Sequence, residues 1–126
     1  MYSFYKLKEC KKWTINTINN GLPYLHREYL PALEYENGDK EWWYLGDRFR
    51  QFKLPTVEYE NGTKEWHHSV TGSLHKYDGP AVEYSNGDKE WWIHGTRHNE
   101  IGPAVIIGNK KYWFRWGGLV RHREEV

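Results

Sequence analysis

One cysteine, Cys10, in 126 residues excludes an internal disulfide as a source of stability. No apolar stretch approaches the roughly 20 residues that cross a bilayer as a helix, and the first residues show no signal-peptide core. A cytoplasmic chain without membrane contacts is therefore expected. Neither sign of charge dominates, with 18 Lys and Arg against 17 Asp and Glu, so no global field draws the chain to nucleic acid. Phosphate-cradling loops, a nucleophile elbow and metal-ligand pairs at recognised spacing are also missing, and no cofactor or metal is implied. Hydrophobic residues make up only 38% of the chain, yet 8 Trp, 10 Tyr and 4 Phe are among them. Burial must come largely from aromatic rings, which suits thin sheets better than a thick aliphatic core.

What the chain has in abundance is repetition. Residues 30–53 read LPALEYENGDKEWWYLGDRFRQFK, residues 54–78 LPTVEYENGTKEWHHSVTGSLHKYD, residues 79–101 GPAVEYSNGDKEWWIHGTRHNEI, and residues 102–126 GPAVIIGNKKYWFRWGGLVRHREEV. Upstream, Leu25 to Pro31 matches Leu74 to Pro80, so Trp13 to Tyr29 is the back half of a degenerate unit and residues 1–12 its lead-in and cap. Residues 1–126 thus form a single repeat domain, with residues 1–29 as its N-terminal part. Two β-prone runs around Asn-Gly in each unit are the strongest short hairpin signal. Pro31, Pro55, Pro80 and Pro103 open the first strand, where a missing N–H does least harm to a ladder. The expected fold is all-β: tandem hairpins in one elongated, twisted antiparallel sheet.

Register follows from comparing two effects. With Tyr84 opposite Lys89, Val82, Tyr84, Trp91 and Ile93 share a face, as do Leu33, Tyr35, Trp42 and Tyr44. A slip of one sets Glu83 against Lys89 but divides the apolar set. A cross-strand ion pair contributes roughly 0.2–1 kcal/mol and one large buried apolar side chain about 1.5–3 kcal/mol, which predicts the first register. The fourth unit reads as shortened by two residues around Gly108-Asn109, which keeps Val105, Ile107, Tyr112 and Phe114 on one face.

These units resemble MORN-type repeats, and more closely a variant of phage and giant-virus proteins reading GPA-x-E-Y-x-N-G-x-K-E-W-W. The resemblance covers residues 30–126 well and residues 13–29 weakly. It implies stacked hairpins that act as scaffolds or protein-binding surfaces. The Tyr-x-Gly-x-Trp opening of the familiar MORN unit is missing, so lipid contacts are not carried over.

Among candidate sites, His26, His75, His98 and His122 share one repeat position, with Arg50 filling it in the first unit. A ladder of histidines invites a shared metal or a pH sensor. The reading favoured here is structural, with each ring tying its loop to the next unit. The second position of the Trp pair holds Trp43, His67, Trp92 and Trp113 and points away from the predicted apolar face. Aromatic and Arg side chains concentrate binding energy at hot spots, so Trp43, Trp92, Trp113, Trp116, Arg97, Arg115 and His67 are the candidate contact residues. Catalysis needs different groups converging in different roles, whereas near-identical units supply the same groups at intervals. No catalytic residue is assigned. Glu34, Glu58 and Glu83, recurring with Lys40, Lys64 and Lys89, read as an exposed charged face.

The chain is accordingly expected to be a non-enzymatic protein-binding module whose partner is another protein. The phage-like resemblance implies an inhibitor of a host defence protein. A homodimer through an end or edge fits an open repeat array. The alternatives are a sponge for a small aromatic or nucleotide-like ligand, recognised by stacked rings, and a purely structural repeat.

Overall fold

The structure, a computed structural model, describes residues 2–7, 10–16 and 23–124, with side chains from residue 10 onward. Residues 17–22 of the degenerate unit and the last two of the fourth lie outside the described residues. The fold is all-β and antiparallel, and the one helical turn among the described residues is the 3-10 segment Gln51–Lys53. Twelve strands form one sheet. Eleven follow chain order from Tyr2–Leu7 to Gly118–Glu124, and Pro23–Leu25 pairs beside them on Cys10–Asn16. The N-terminal residues therefore build a first hairpin, Tyr2–Leu7 with Cys10–Asn16, rather than a mere lead-in.

The main hairpins of the units at residues 30–53, 54–78 and 79–101 turn through three-residue loops. In the third unit the Tyr84 N–H donates to Asp88 O at 2.9 Å and the Gly87 N–H to Tyr84 O at 2.9 Å, with Gly87 at φ +97°. This is a type I turn closed by a left-handed glycine, the usual form of three-residue hairpin loop. The Asn86 side chain fixes it by accepting from the Asp88 N–H at 2.9 Å. Asp88 then accepts the Gly108 N–H of the next turn at 2.9 Å, as Asp39 accepts the Glu60 N–H at 2.9 Å and Thr63 Oγ1 the Ser85 N–H at 3.2 Å. The hairpin tips are thus linked in series.

This loop overturns the predicted register. Tyr84 faces Asp88, so Val82 pairs with Glu90 and Glu83 with Lys89; Leu33 likewise pairs with Glu41 rather than sharing its row with Trp42. The single-pair comparison undercounted the charges. Lys11, Glu34, Lys40, Glu58, Lys64, Glu83 and Lys89 form one unbroken row across the sheet, six consecutive cross-strand neighbours of opposite sign. At roughly 0.2–1 kcal/mol per pair, such a row rivals one large buried side chain.

The other face alternates Leu33, Glu41, Val57, Glu65, Val82, Glu90 and Val105. Its buried members are Leu33, Val57, Val82, Val105 and the carboxylate-bearing Glu90. A buried carboxylate is costly unless donors surround it. Here the Tyr84 hydroxyl and the Trp92 Nε1–H, the latter at 2.9 Å, both donate to Glu90.

Past Glu41, Glu65 and Glu90 the strands leave the main ladder at Trp42, Trp66 and Trp91, whose N–H groups donate to Thr56, Ala81 and Ala104. Ala32, Ala81 and Ala104 are fully buried there, small enough to admit the neighbouring indoles. A second, smaller hairpin follows, so most units hold two hairpins where one was expected. Trp43–Tyr44 pairs with Asp47–Arg48 and Trp92–Ile93 with Thr96–Arg97. Their two-residue turns put both central residues at positive φ: Leu45 and Gly46, His94 and Gly95, and in the fourth unit Trp116 and Gly117. These are type I′ turns, and the non-glycine residue in each carries strain of about 1–3 kcal/mol.

The fourth unit departs from its predicted alignment. Val105 pairs with Tyr112, one residue closer in sequence than Val82 is to Glu90, so the turn is shorter by one residue and not two. Val105, Ile107 and Tyr112 keep a common face as predicted. Trp113 becomes the equivalent of Trp91, and Phe114 takes the place of Trp92.

Candidate binding surface

The histidine series carries the strained turns. Nδ1 of His26 accepts the Leu45 N–H at 2.8 Å, Nδ1 of His75 the His94 N–H at 2.9 Å, and Nδ1 of His98 the Trp116 N–H at 3.0 Å. Each ring is almost fully buried and anchors the first residue of the next unit's type I′ turn. An accepting Nδ1 fixes the neutral tautomer with its proton on Nε2, and burial lowers the pKa of His26 and His75 in keeping with it. For His75 the neighbouring His94 and His68 act in the same direction. The structural reading of these residues holds for His26, His75 and His98. Two members of the series need correction. Phe49, not Arg50, stands where His26, His75 and His98 stand, because its N–H donates to Trp42 O as theirs do to Trp13, Trp66 and Trp91. An extra residue in the turn Gln51–Lys53 offset the count. His122 lies in the exposed last strand and stacks on Tyr112 with ring centres 4.8 Å apart.

Of the predicted contact residues, Trp43, His67, Trp92 and Arg97 gather on the carboxylates of the alternating face. The Trp43 Nε1–H donates to Glu41 at 3.1 Å, and Arg48 lies 3.2 Å from the same oxygen and 4.6 Å above the indole. Glu41 also accepts the Tyr35 hydroxyl at 2.8 Å. Arg97 reaches Glu90 at 3.8 Å and spans the Trp92 and Phe114 rings at 5.1 and 5.4 Å. His67 sits 3.5 Å from Glu65 and 2.7 Å from the Thr56 hydroxyl; burial first, then the Arg48 charge, push its pKa down to about 4. Burial and the Glu90 carboxylate push the Tyr84 phenol up to about 12, which keeps it a donor. These carboxylates are therefore occupied by donors of their own chain, and the aromatic rings around them are half-buried.

Trp113, Arg115 and Trp116 lie elsewhere. Arg121 covers Trp113 at 4.8 Å. Arg115 donates to the Phe114 and Glu100 carbonyls at 3.1 and 3.4 Å. Trp116 stacks on His98 at 3.8 Å and 14°, yet remains 65% exposed at its turn tip.

Sequence reasoning missed a groove formed where each inter-unit segment crosses the Trp of its unit. Two cavities lie along it, of about 490 and 520 Å³. Phe52, Trp66, His75 and Tyr77 are among the residues lining the first, and Tyr77, Trp91, Ile101 and Trp116 line the second; Lys76, Tyr77 and Asp78 belong to both. Phe52, Tyr77, Ile101 and Trp116 are exposed there at 85, 76, 96 and 65%. The one sequence signal for this groove was a recurring bulky residue between the histidine and the Pro of the next unit.

No helix among the described residues is long and apolar enough to cross a membrane. No family model, curated protein or solved structure matches the chain.

Proposed function

We propose that this chain is a non-enzymatic protein-binding repeat module that holds its partner along the inter-unit groove. The observation that carries this reading is the run of exposed apolar side chains, Phe52, Tyr77, Ile101 and Trp116, around two adjoining cavities. Isolated exposed apolar residues are ordinary, but a contiguous patch rimmed by polar groups marks an interaction site. Trp and Tyr at its centre are the side chains that concentrate binding energy. Trp116 keeps its place among the contact residues; Trp43, Trp92, Arg97 and His67 support the scaffold through Glu41, Glu65 and Glu90. Blocking a host factor, as the resemblance to phage repeats implies, is one form this binding would take.

Capture of a partner by the wild-type chain, compared with Phe52→Ser/Ile101→Ser, tests the reading. Both residues are solvent-facing, so thermal unfolding should be unchanged while partner retention falls at least about tenfold, a loss of about 1.4 kcal/mol. Val70→Ser, another exposed apolar position outside both cavities, should leave retention intact. Retention by the double variant overturns the assignment of the groove.

A second reading, a sponge for a small aromatic ligand, draws support from cavity volumes that fall within the usual 300–1,000 Å³ of ligand sites. It predicts quenching of Trp fluorescence by the ligand alone and a retained small mass in native mass spectrometry.

A further inference from the structure

The groove is built on a repeated stacking arrangement. Arg27 lies 3.9 Å above the Trp13 ring, Arg50 3.7 Å above Trp42, Lys76 3.9 Å above Trp66 and Arg121 4.8 Å above Trp113. In the first three the cation comes from the segment that follows the unit's second hairpin, and in the fourth Arg121 stands across the ladder from Trp113. Trp91 is the remaining member of this row, and among the described residues no cation lies over it. The position that supplies the cation over Trp13, Trp42 and Trp66 is held here by Asn99. Its side chain donates to Pro103 O at 2.9 Å, the same loop-tethering bond that Arg27 makes to Pro31 O and Arg50 to Pro55 O. Asn99 keeps the tether and is too short to cover the indole.

Two further differences set Trp91 apart. The Nε1–H groups of Trp42 and Trp66 donate to carbonyls thirteen residues earlier, at Tyr29 and Lys53. The Nε1–H of Trp91 makes no hydrogen bond to a described residue. The acid that pairs with the stacked Arg in other units, Glu34 for Arg27 and Glu58 for Arg50, is replaced here by Ile106. Instead, the cavity over Trp91 is walled by the Asp78 and Glu100 side chains, with Tyr77, Ile101 and Trp116 around them. Asp78 forms no ion pair among the described residues, and Glu100 holds only the His98 Nε2–H at 2.7 Å. The one cation on the wall, Lys76, is engaged on Trp66.

We infer that the open place above Trp91 receives an arginine side chain of the protein partner, which completes from outside the stack that the other units complete from within. The site matches a guanidinium on three counts: a free aromatic face, carboxylates at its rim and an apolar collar for the arginine stem. Arginine supplies the cation in three of the chain's own four stacks. The inference rests on the protein-binding reading above and adds the chemistry of the anchoring residue.

Indole N–H resonances of the full chain, labelled on its 8 tryptophans, report the site directly. N-acetyl-arginine methylamide is the probe, and its uncharged isostere N-acetyl-citrulline methylamide is the control. The Trp91 resonance, identified by its loss in Trp91→Phe, should shift saturably with the arginine probe, with an affinity on the order of millimolar, and not with citrulline. Asn99→Arg places the chain's own guanidinium over the ring and should abolish the shift. It should also weaken capture of the partner by about tenfold. A silent Trp91 resonance, or equal shifts with both probes, overturns the inference. Asn99→Arg that retains the partner as the wild type does also overturns it and leaves the groove reading standing, since Phe52 and Ile101 are untouched. A probe that binds while no partner is ever captured sinks the groove reading and the partner's arginine with it, leaving a site for free cations.

Discussion

Where the unit at residues 54–78 sets Lys76 over Trp66, the unit at residues 79–101 leaves Trp91 bare, and the two differ in other linked ways. Thr56 stands where Ala81 does, and its hydroxyl meets His67 at 2.7 Å, which stands where Trp92 does. A longer loop, closed by the His68 N–H to Ser73 O at 2.8 Å, replaces the tight turn at His94 and Gly95. Yet both units share the three-residue hairpin loop, the charged cross-strand row and the buried histidine. The stacking scaffold is therefore held by backbone geometry, charge alternation and the histidine bond, while the residues that face the groove are free to vary. A repeat array divides its labour in this way, because each unit must satisfy its neighbours before it can specialise.

The sharpest break in the comparison comes from the element the two units share. His98→Ala removes the acceptor for the Trp116 N–H and the ring on which Trp116 stacks, and should cost about 3 kcal/mol, read as a lower urea midpoint. His75→Ala should cost about 2 kcal/mol by the same measurement, since it loses the bond to the His94 N–H without a stacked indole. Acid should separate the units next. His67 and His75 have folded pKa values below the ordinary 6.5, His67 at about 4. The unfolded chain thus binds more protons between pH 6.5 and 4, so stability is fully present above pH 6.5 and falls as the pH drops through that window. Allowing for partial solvent access, the loss should be on the order of 2 kcal/mol. Hydrogen exchange at pH 5 should show protection lost around residues 64–75 before residues 89–98; equal loss in both would place the sensitive groups elsewhere.

Much of this plan was legible in the sequence. Asn-Gly between β-prone runs gave the hairpins, the recurring Pro gave their starts, and the repeated histidine gave the tether between units. What failed was counting by one. Asn-Gly-Asp closes a three-residue loop, and a reading based on apolar pairing assumed four; that single residue moved Trp42 and Trp91 out of the row of Leu33 and Val82. The same error of one placed Trp113 with Trp92 and Arg50 with the histidines, since Phe52 and Lys53 take up an extra residue in left-handed conformations. The Trp-cation stacks were hidden for a related reason. The cation and its indole lie 8 to 14 residues apart in sequence, and only the second hairpin, folding back, brings one over the other.

Two smaller effects test how independent the groove residues are of the scaffold. Thr56→Ala should cost about 1 kcal/mol by unfolding the hydroxyl's bond to His67. Combined with His67→Trp it should recover most of that loss, because the pair then matches Ala81 and Trp92; a coupling energy of about 1 kcal/mol in the double-mutant cycle is expected, and additivity would mean the two positions vary separately.

The smallest change in stability carries the most information about the groove. Lys76→Asn should cost only about 0.5 kcal/mol of stability, read from the urea midpoint, the contribution of an exposed cation–π contact. It should also uncover the face of Trp66, as that of Trp91 is uncovered, with Asp78 still at the rim of both cavities. The variant should then show a second indole resonance responding to the arginine probe. If Trp66 stays silent, removal of the internal cation is not enough to open a site, and the carboxylate of Glu100, which only the Trp91 cavity has, becomes the deciding group.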